Sequence, residues 1–239
     1  MTDVKAHVRE RYAKAASGSE SCCEAPEKLG YTETELAAVP EDVSRASLGC
    51  GSPVGQASLR PGERVLDLGS GAGFDVFLAS REVGPTGLVY GVDFTPEMLE
   101  RARANASRQG LANVTFLEGD IESIPLPEAS VDVVISNCVI NLAPDKRAVF
   151  REAHRVLAPG GRFVVADMLA TAPLPESLVK DPDAWGECIA GAIPEPDYVE
   201  SLRGSGFAEV EVRRVGTAEG SCCGPSVFSA IVLARKRGA

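Results

Sequence analysis

The sequence lacks any apolar run of the roughly 18 residues that a membrane-spanning helix needs. Its first residues, MTDVKAHVRERYAKAA, are charged and include no apolar segment of the kind found in a secretory leader. Basic residues are also scarce, because 24 Lys and Arg stand against 34 Asp and Glu, and the net charge of −10 repels polyanions. We therefore expect a soluble cytoplasmic protein that binds neither nucleic acid nor membranes.

The sequence also lacks the cysteine spacing of a disulfide-rich secreted domain or of a structural zinc site. Its cysteines are too scattered for a disulfide framework, and the pairs separated by two to four residues that structural zinc sites usually contain are absent. The two histidines, His7 and His154, fit ordinary polar positions of helices. We expect no zinc, and thiols kept free in a reducing cytosol are then buried apolar residues, ligands or catalytic groups. The seven cysteines are Cys22, Cys23, Cys50, Cys138, Cys188, Cys222 and Cys223.

Short β-branched runs alternate with helix-like stretches from Arg64 onward. Runs such as RVLDLG, GLVYGVDF and VDVVISN have the composition of strands, and segments such as PEMLERARANASRQG separate them. This alternation predicts repeated βαβ units, and therefore an α/β fold with a parallel sheet. Two later runs, FAEVEVRRV and SVFSAIVLAR, predict an antiparallel hairpin at the sheet edge.

The 239 residues suffice for one full-sized domain, and the pattern divides into three segments. We expect a helical lead-in over residues 1–60, a core over 61–170, and lid helices with the final strands over 171–239. Within the lead-in, TETELAAV predicts a helix with Thr at its N-cap and a carboxylate three residues later, and Pro40 is predicted to end it. In the last segment, DAWGECIAGA and YVESLRGSG also predict helices.

The run VLDLGSGAGFD is an apolar strand that leads through three glycines into a helix. Gly69, Gly71 and Gly73 allow positive φ and let a ligand approach the backbone at the carboxyl end of a strand. A glycine loop alone is a weak signal, because a tight strand-to-helix turn with no ligand has the same residues. The next strand ends in Asp93, about twenty residues on, where an acidic side chain can hold ribose hydroxyls.

Further candidates for the same ligand follow the second and third strands. Asp120 and Ile121 are placed to bracket an adenine, and Phe94 and Met98 to cover its face. Asp67, two residues before the first glycine, would repel a dinucleotide pyrophosphate but attract a cationic amino group. The charge therefore favours S-adenosylmethionine over NAD. Over residues 60–239 the pattern resembles the Rossmann-like class I methyltransferase fold, which implies a mostly parallel seven-stranded sheet with a C-terminal antiparallel hairpin and helices on both faces.

Three cysteines occur in unusual contexts. Cys138 follows the strand VDVVIS and so lies at the sheet edge that carries the glycines; Cys50 is in the loop SLGCGSP, which we expect to be exposed; Cys188 is in the predicted lid. Each can be a small buried hydrophobic residue. If the three residues lie close together in the fold, their thiolates would form a soft three-coordinate site.

The chain is similar to arsenite S-adenosylmethionine methyltransferases over nearly its whole length. The matching stretches are SLGCGSP, VLDLGSGAGFDVFLAS, VYGVDFTPEM, SNCVINLAPDK and the WxxCxxGA pattern. The resemblance implies methyl transfer to trivalent arsenic, arsenic detoxification, and thioredoxin or glutathione as the reductant. It implies that the arsenic-binding cysteines are Cys50, Cys138 and Cys188, and that the cofactor site contains Asp67, Gly69, Gly71, Gly73, Asp93, Met98, Asp120, Ile121 and Asn137.

Two cysteine pairs stay open. The family has a further N-terminal cysteine that can form a disulfide with the counterpart of Cys50, and Cys22 and Cys23 are both candidates for it. The Cys222–Cys223 pair has no assigned role, although vicinal thiols bind trivalent arsenic well. Two alternatives remain: a methyltransferase of an organic small molecule with the cysteines as packing, and a metalloid-binding protein without turnover.

Overall fold

A seven-stranded sheet in the order β3-β2-β1-β4-β5-β7-β6 is the framework of the computed structural model. The structure describes residues 4–16, 31–37, 39, 43, 49–186, 188–215 and 226–238. The strands are β1 Arg64–Leu68, β2 Leu88–Asp93, β3 Val114–Glu118, β4 Val131–Asn137, β5 Leu157–Ala170, β6 Phe207–Arg214 and β7 Val227–Lys236. The helices are α1 Val4–Ala16, α2 Glu33–Ala37, α3 Pro53–Ala57, α4 Phe74–Val83, α5 Pro96–Arg108, α6 Lys146–Val156, α7 Glu176–Val179, α8 Pro182–Gly186 and α9 Glu195–Gly204, with a short 3-10 helix at Ile140–Leu142.

Strand directions confirm the predicted fold class. Strands β1 to β5 are mutually parallel, and β7 pairs antiparallel with both β5 and β6. The predicted C-terminal hairpin is therefore present, with β6 as an edge strand. The strand order reverses between β1 and β4, and in open α/β sheets ligands bind beyond the carboxyl ends of the strands at such a reversal.

Apolar clusters cover both faces of the sheet. Along β1, Val65 packs into one cluster and Leu66 into the other, and both are fully buried. Strand β4 repeats the alternation with Val133 and Val134. Strands buried on both faces need continuous apolar runs, which is why the central strands show no polar alternation in the sequence.

The helix predicted over TETELAAV is confirmed at its start. Thr32 Oγ1 accepts a hydrogen bond from the Glu35 backbone N–H (3.2 Å), and a Glu35 carboxylate oxygen accepts one from the Thr32 N–H (2.6 Å). This reciprocal pair satisfies two backbone donors that would otherwise lack partners. Pro40, the predicted stop, lies outside the described residues.

The helix predicted over DAWGECIAGA is shorter than expected, because α8 ends at Gly186 and Cys188 lies in a turn with φ of +61°. The backbone at Gly191 packs directly against the Asn141 carbonyl, where even a Cβ would be 1.8 Å from the oxygen. The chain therefore leaves the helical path to approach the loop after β4. Among the helices that the structure describes, none is long and apolar enough to cross a membrane.

We expect Phe163→Ala to lower the free energy of unfolding by about 3–5 kcal/mol, measured by urea denaturation, because a buried cavity would replace the ring. Phe163 is fully buried and packs against the rings of Phe150 and Phe207, with centroids 6.1 and 5.3 Å away. Leu88→Ala is the control, since Leu88 is 45% exposed, and should change stability by only about 0.5 kcal/mol. Equal losses in the two variants would contradict this assignment of the core.

Candidate active site

The turn from β1 to α4 forms the floor of the site. The structure gives Gly69, Gly71 and Gly73 positive φ values of 70°, 49° and 95°. At Gly69 a Cβ would lie 2.4 Å from Val139, so the turn can pack there only without a side chain. At Gly71 a Cβ would meet nothing within 4 Å, and the backbone faces open space. The turn therefore packs closely on one side and leaves backbone exposed to a ligand on the other.

That open space is a cavity of about 340 Å³ at the carboxyl edge of the sheet. Six of the predicted cofactor-site residues and five residues of α1 line it: Gly69, Gly71, Asp93, Phe94, Asp120 and Ile121, with Lys5, Ala6, Val8, Arg9 and Tyr12. A smaller cavity of about 60 Å³ shares Gly69, Gly71 and Tyr12 with it and reaches Asp67, Met98 and Asn137. The structure thus gathers the predicted cofactor residues around two adjoining spaces, while Gly73 faces Phe77.

Asp93 holds the glycine turn in place. One of its carboxylate oxygens accepts a hydrogen bond from Gly71 N–H (3.0 Å) and the other from Thr95 N–H (2.8 Å). Burial raises the pKa of Asp93, although these backbone donors favour its ionised form. Each oxygen retains a lone pair for a ligand hydroxyl.

Helix α1 covers the larger cavity, and it is held there by contacts that the sequence did not predict. Lys5 Nζ donates to Asp120 Oδ2 (2.6 Å) and to the Glu122 carboxylate, which lie 115 and 117 residues away in sequence. Desolvation lowers the pKa of Lys5, but the hydrogen bonds and charges of the two carboxylates outweigh it and raise the pKa overall. A charged residue in a polar amphipathic helix carries no signal for so distant a contact.

A buried acidic wall borders the smaller cavity. Asp67 and Asp75 are 3% and 6% exposed, and Asp75 accepts hydrogen bonds from Tyr31 Oη (3.0 and 3.2 Å) and Asn137 Nδ2 (3.1 Å). Burial raises the pKa of Asp75 to about 6. Burial and the neighbouring charges of Asp75 and Asp93 raise the pKa of Asp67 well above its usual value. Clustered carboxylates in a low-dielectric space attract a cation.

The three cysteines singled out in the sequence come together. Cys50 and Cys138 are joined in a disulfide with a Cα–Cα distance of 5.7 Å, and Cys188 Sγ donates to the Cys138 carbonyl (2.7 Å). Cys50 is half-buried, not exposed as its glycine-rich loop suggested, because its backbone bonds to other elements. Cys22, Cys23, Cys222 and Cys223 lie outside the described residues.

The surroundings of the three cysteines are apolar. Cys138 and Cys188 are buried with Val8, Leu142 and Met168 in one cluster, against which Cys50, Tyr12 and Phe94 pack. Cys138 and Cys188 both have positive φ, of 54° and 61°, a conformation that costs a non-glycine residue energy and is concentrated at functional sites. Within the described ranges no three His, Cys, Asp or Glu side chains form a group that could hold a metal ion.

Comparison with known proteins identifies the family. A family model described as a methyltransferase domain matches residues 59–218. The chain is 44% identical over 230 residues to an arsenite methyltransferase of Halobacterium salinarum, a match that covers 88% of this chain and 59% of the relative. The crystal structure of an arsenic(III) S-adenosylmethionine methyltransferase from Chlamydomonas reinhardtii superposes with a TM-score of 0.71 at 39% identity, covering 86% of this chain and 73% of that one. The chain belongs to the arsenite methyltransferase family of class I methyltransferases.

Members of this family differ from the chain in length. An arsenite methyltransferase of Aquipseudomonas alcaligenes is 39% identical over 214 residues, covering 84% of this chain and 61% of the relative. The chain therefore spans about three fifths of the length of these two curated relatives.

We expect Asp75→Asn to become more stable relative to the wild type as the pH rises from about 4 to 6. The difference between their free energies of unfolding should change by up to about 3 kcal/mol. In this range the folded protein keeps a proton on Asp75, whose pKa is about 6, while the unfolded chain has lost it. Raising the pH therefore destabilises the wild type, and the variant lacks this titration. Urea unfolding at several pH values measures the difference.

Asp132→Asn provides a control of opposite sign. Its ion pair with Arg64 lowers the pKa of Asp132, so the carboxylate stabilises the fold above the unfolded pKa. The stability of this variant relative to wild type should fall as the pH rises through the acid range. A pH-independent difference for Asp75→Asn would show that its carboxyl group titrates alike in the folded and unfolded chains.

Proposed function

We propose that the protein transfers a methyl group from S-adenosylmethionine to trivalent arsenic bound by the thiolates of Cys50, Cys138 and Cys188. The observation that carries the proposal is the convergence of these residues from three separate segments: the loop before α3, the end of β4 and the turn after α8. Packing alone explains single buried cysteines, but it does not require three of them in one cluster next to a ligand-sized cavity.

The disulfide implies that arsenic binding begins with a reduction. Two electrons and two protons convert the Cys50–Cys138 disulfide to two thiols, and a dithiol or monothiol reductant such as thioredoxin or glutathione supplies them. Three thiols then replace the three hydroxyls of arsenite and release three waters, which leaves a pyramidal arsenic with its lone pair. Trivalent arsenic prefers soft sulfur ligands, so this set suits it better than the oxygen ligands nearby.

The two cavities fit S-adenosylmethionine. Asp93 has acceptors for a ribose diol, Asp120 and Ile121 border the space for adenine, and the acidic wall of Asp67 and Asp75 complements a cationic ligand. The residues that would hold the cofactor are Asp67, Gly69, Gly71, Asp93, Phe94, Met98, Asp120, Ile121 and Asn137, whereas the predicted Gly73 packs against Phe77 and lines neither cavity. When bound, the cofactor supplies an electrophilic methyl group to the arsenic lone pair.

The chain's own residues mainly orient the reactants and exclude water from them. Val8, Leu142 and Met168 surround the cysteines with apolar side chains, and α1 covers the cavity that adjoins them. Because the arsenic lone pair carries no proton, the reaction needs no general base, and positioning the reactants accounts for most of the rate. Methyl transfer raises arsenic to the pentavalent state, and a pair of cysteine thiols supplies the two electrons that restore it and is oxidised to a disulfide. Either Cys22 or Cys23 is the candidate partner of Cys50 in this step, and thioredoxin or glutathione then reduces the disulfide. Repeated turnover would serve arsenic detoxification.

Arsenic speciation tests the proposal directly. The reduced protein, incubated with arsenite, S-adenosylmethionine and a thiol, should form methylated arsenic, and Cys138→Ser or Cys188→Ser should lower the rate at least about 100-fold because a hydroxyl is a poor arsenic ligand. Ala192→Ser is the matched control, since it adds the same hydroxyl to the same buried cluster without removing a thiol. An organic substrate is indicated if both cysteine variants keep wild-type methyltransferase activity, and a binding protein if arsenite binds without product.

Cofactor binding tests the role of Asp93. We expect Asp93→Asn to weaken S-adenosylmethionine binding about 10-fold or more by calorimetry, because the amide offers one acceptor where the carboxylate offers two. Glu118→Gln is the control: Glu118 pairs with Asp93 in the β2–β3 register but is exposed. Equal affinities for all three proteins would remove Asp93 from the proposed site.

A further inference from the structure

The side chain of Asn137 holds the loop that carries Cys50 through two hydrogen bonds. Its Oδ1 accepts a hydrogen bond from Cys50 N–H (2.8 Å), and its Nδ2 donates to the Gly51 carbonyl (2.7 Å). One amide side chain therefore binds the backbone on both sides of the Cys50–Gly51 peptide. Asn137 also lies directly before Cys138, so the gripping residue and the second cysteine are neighbours in the chain.

The other sides of the loop are equally constrained. Ser229 Oγ donates to the Cys50 carbonyl (2.6 Å), which fixes the loop to β7. A Cβ at Gly49 would lie 2.4 Å from Asn137 Nδ2, and one at Gly51 would lie 2.9 Å from the Ala166 side chain. The glycines that flank Cys50 therefore allow the backbone to approach Asn137 and β5 closely.

A second contact orients Asn137 itself. Tyr31 Oη donates to Asp75 and accepts a hydrogen bond from Asn137 Nδ2 (2.7 Å). The hydrogens of Nδ2 are thus directed at Tyr31 and Gly51, with Asp75 as a longer third acceptor (3.1 Å). This arrangement leaves Oδ1 as the group that faces Cys50 N–H, so the amide has one favourable orientation.

Cys138 is fixed independently. Its backbone N–H donates to the Ala166 carbonyl (2.8 Å), which continues the pairing of β4 with β5 past the end of the strand. The sheet therefore determines where Cys138 lies, and Asn137 determines where Cys50 lies relative to it.

We propose that Asn137 is a positioning residue that holds the Cys50 thiol opposite Cys138 and so pre-organises the sulfur pair of the arsenic site. The proposal rests on the proposed function for its consequence in arsenic binding, but its geometric content concerns the two cysteines alone. It gives Asn137 a role distinct from the predicted contact with the cofactor. Loss of the Asn137 hydrogen bonds would let the Cys50 loop move, so that the Cys50 and Cys138 sulfurs would be within bonding distance less often.

The first test measures the effective concentration of the two thiols. The full chain is equilibrated in glutathione buffers, and the Cys50–Cys138 disulfide is quantified by mass spectrometry of the digested protein. We expect Asn137→Ala to lower the effective concentration at least 10-fold. Asn105→Ala is the matched control, because Asn105 is also a buried asparagine, bonded to Ala72 and not to the Cys50 loop; it should match the wild type.

The second test measures arsenite binding by the reduced protein, with bound arsenic quantified after gel filtration. Asn137→Ala should weaken binding at least 10-fold. In a Cys50→Ser background the same substitution should have no further effect on arsenite, because residues that act through one another are not additive. Tyr31→Phe, which keeps the ring, should weaken arsenite binding about threefold and serves if Asn137→Ala does not fold.

Several results would overturn the proposal. A wild-type effective concentration in Asn137→Ala would do so, as would an arsenite effect that persists without Cys50. The proposed function fails separately: reduced wild-type protein that binds arsenite but forms no methylated arsenic contradicts methyl transfer and leaves the positioning role supported. A wild type that binds no arsenite contradicts both the proposed function and the consequence for arsenic, and the disulfide equilibrium then decides the geometric part.

Discussion

The parallel pairing of β1 with β4 is the constraint on which the site depends. Leu68 lies opposite Ser136 in this register, so the glycine turn and the Asn137–Cys138 pair begin side by side at the same edge of the sheet. A shift of one residue would send the side chains of β4 to the opposite faces and move Cys138 out of its cluster. The two fully buried apolar clusters fix the register, because each strand residue belongs to one face only.

The site concentrates features that oppose folding. Asp67, Asp75 and Asp93 are buried carboxylates, and Cys138 and Cys188 hold left-handed backbone conformations that cost about 1–3 kcal/mol each. The apolar clusters on both sheet faces offset these costs. Such energetically unfavourable groups are tolerated where they serve a ligand, and here they surround the cavity at the strand ends.

Local patterns explain which parts the sequence reveals. Strand alternation predicted the sheet, the glycine run predicted the turn, and Thr32 with Glu35 predicted a helix start, because each depends on residues close together in the chain. The hydrogen bond between Asn137 and Cys50 joins residues 87 positions apart in sequence, and the Lys5–Asp120 contact joins residues 115 positions apart. Nothing in their local sequence distinguishes Tyr31, Asp75 or Lys5 from ordinary helix and loop residues. The turn at Cys188 was also missed, since it follows from the close approach of Gly191 to Asn141 and not from the composition of its own segment.

The Cys50–Cys138 disulfide closes a long loop and therefore affects the stability of the fold. The bridged cysteines are 88 residues apart in sequence, and the loop between them contains strands β1 to β4. Closing a loop of that size raises the free energy of the unfolded chain by about 4.6 kcal/mol through lost conformational entropy. The oxidised form therefore resists unfolding better than the reduced form, in which Cys50 and Cys138 are free thiols. Reduction makes the sulfurs reactive and weakens the fold by the same chemical step, so durability and reactivity belong to different redox forms of one chain.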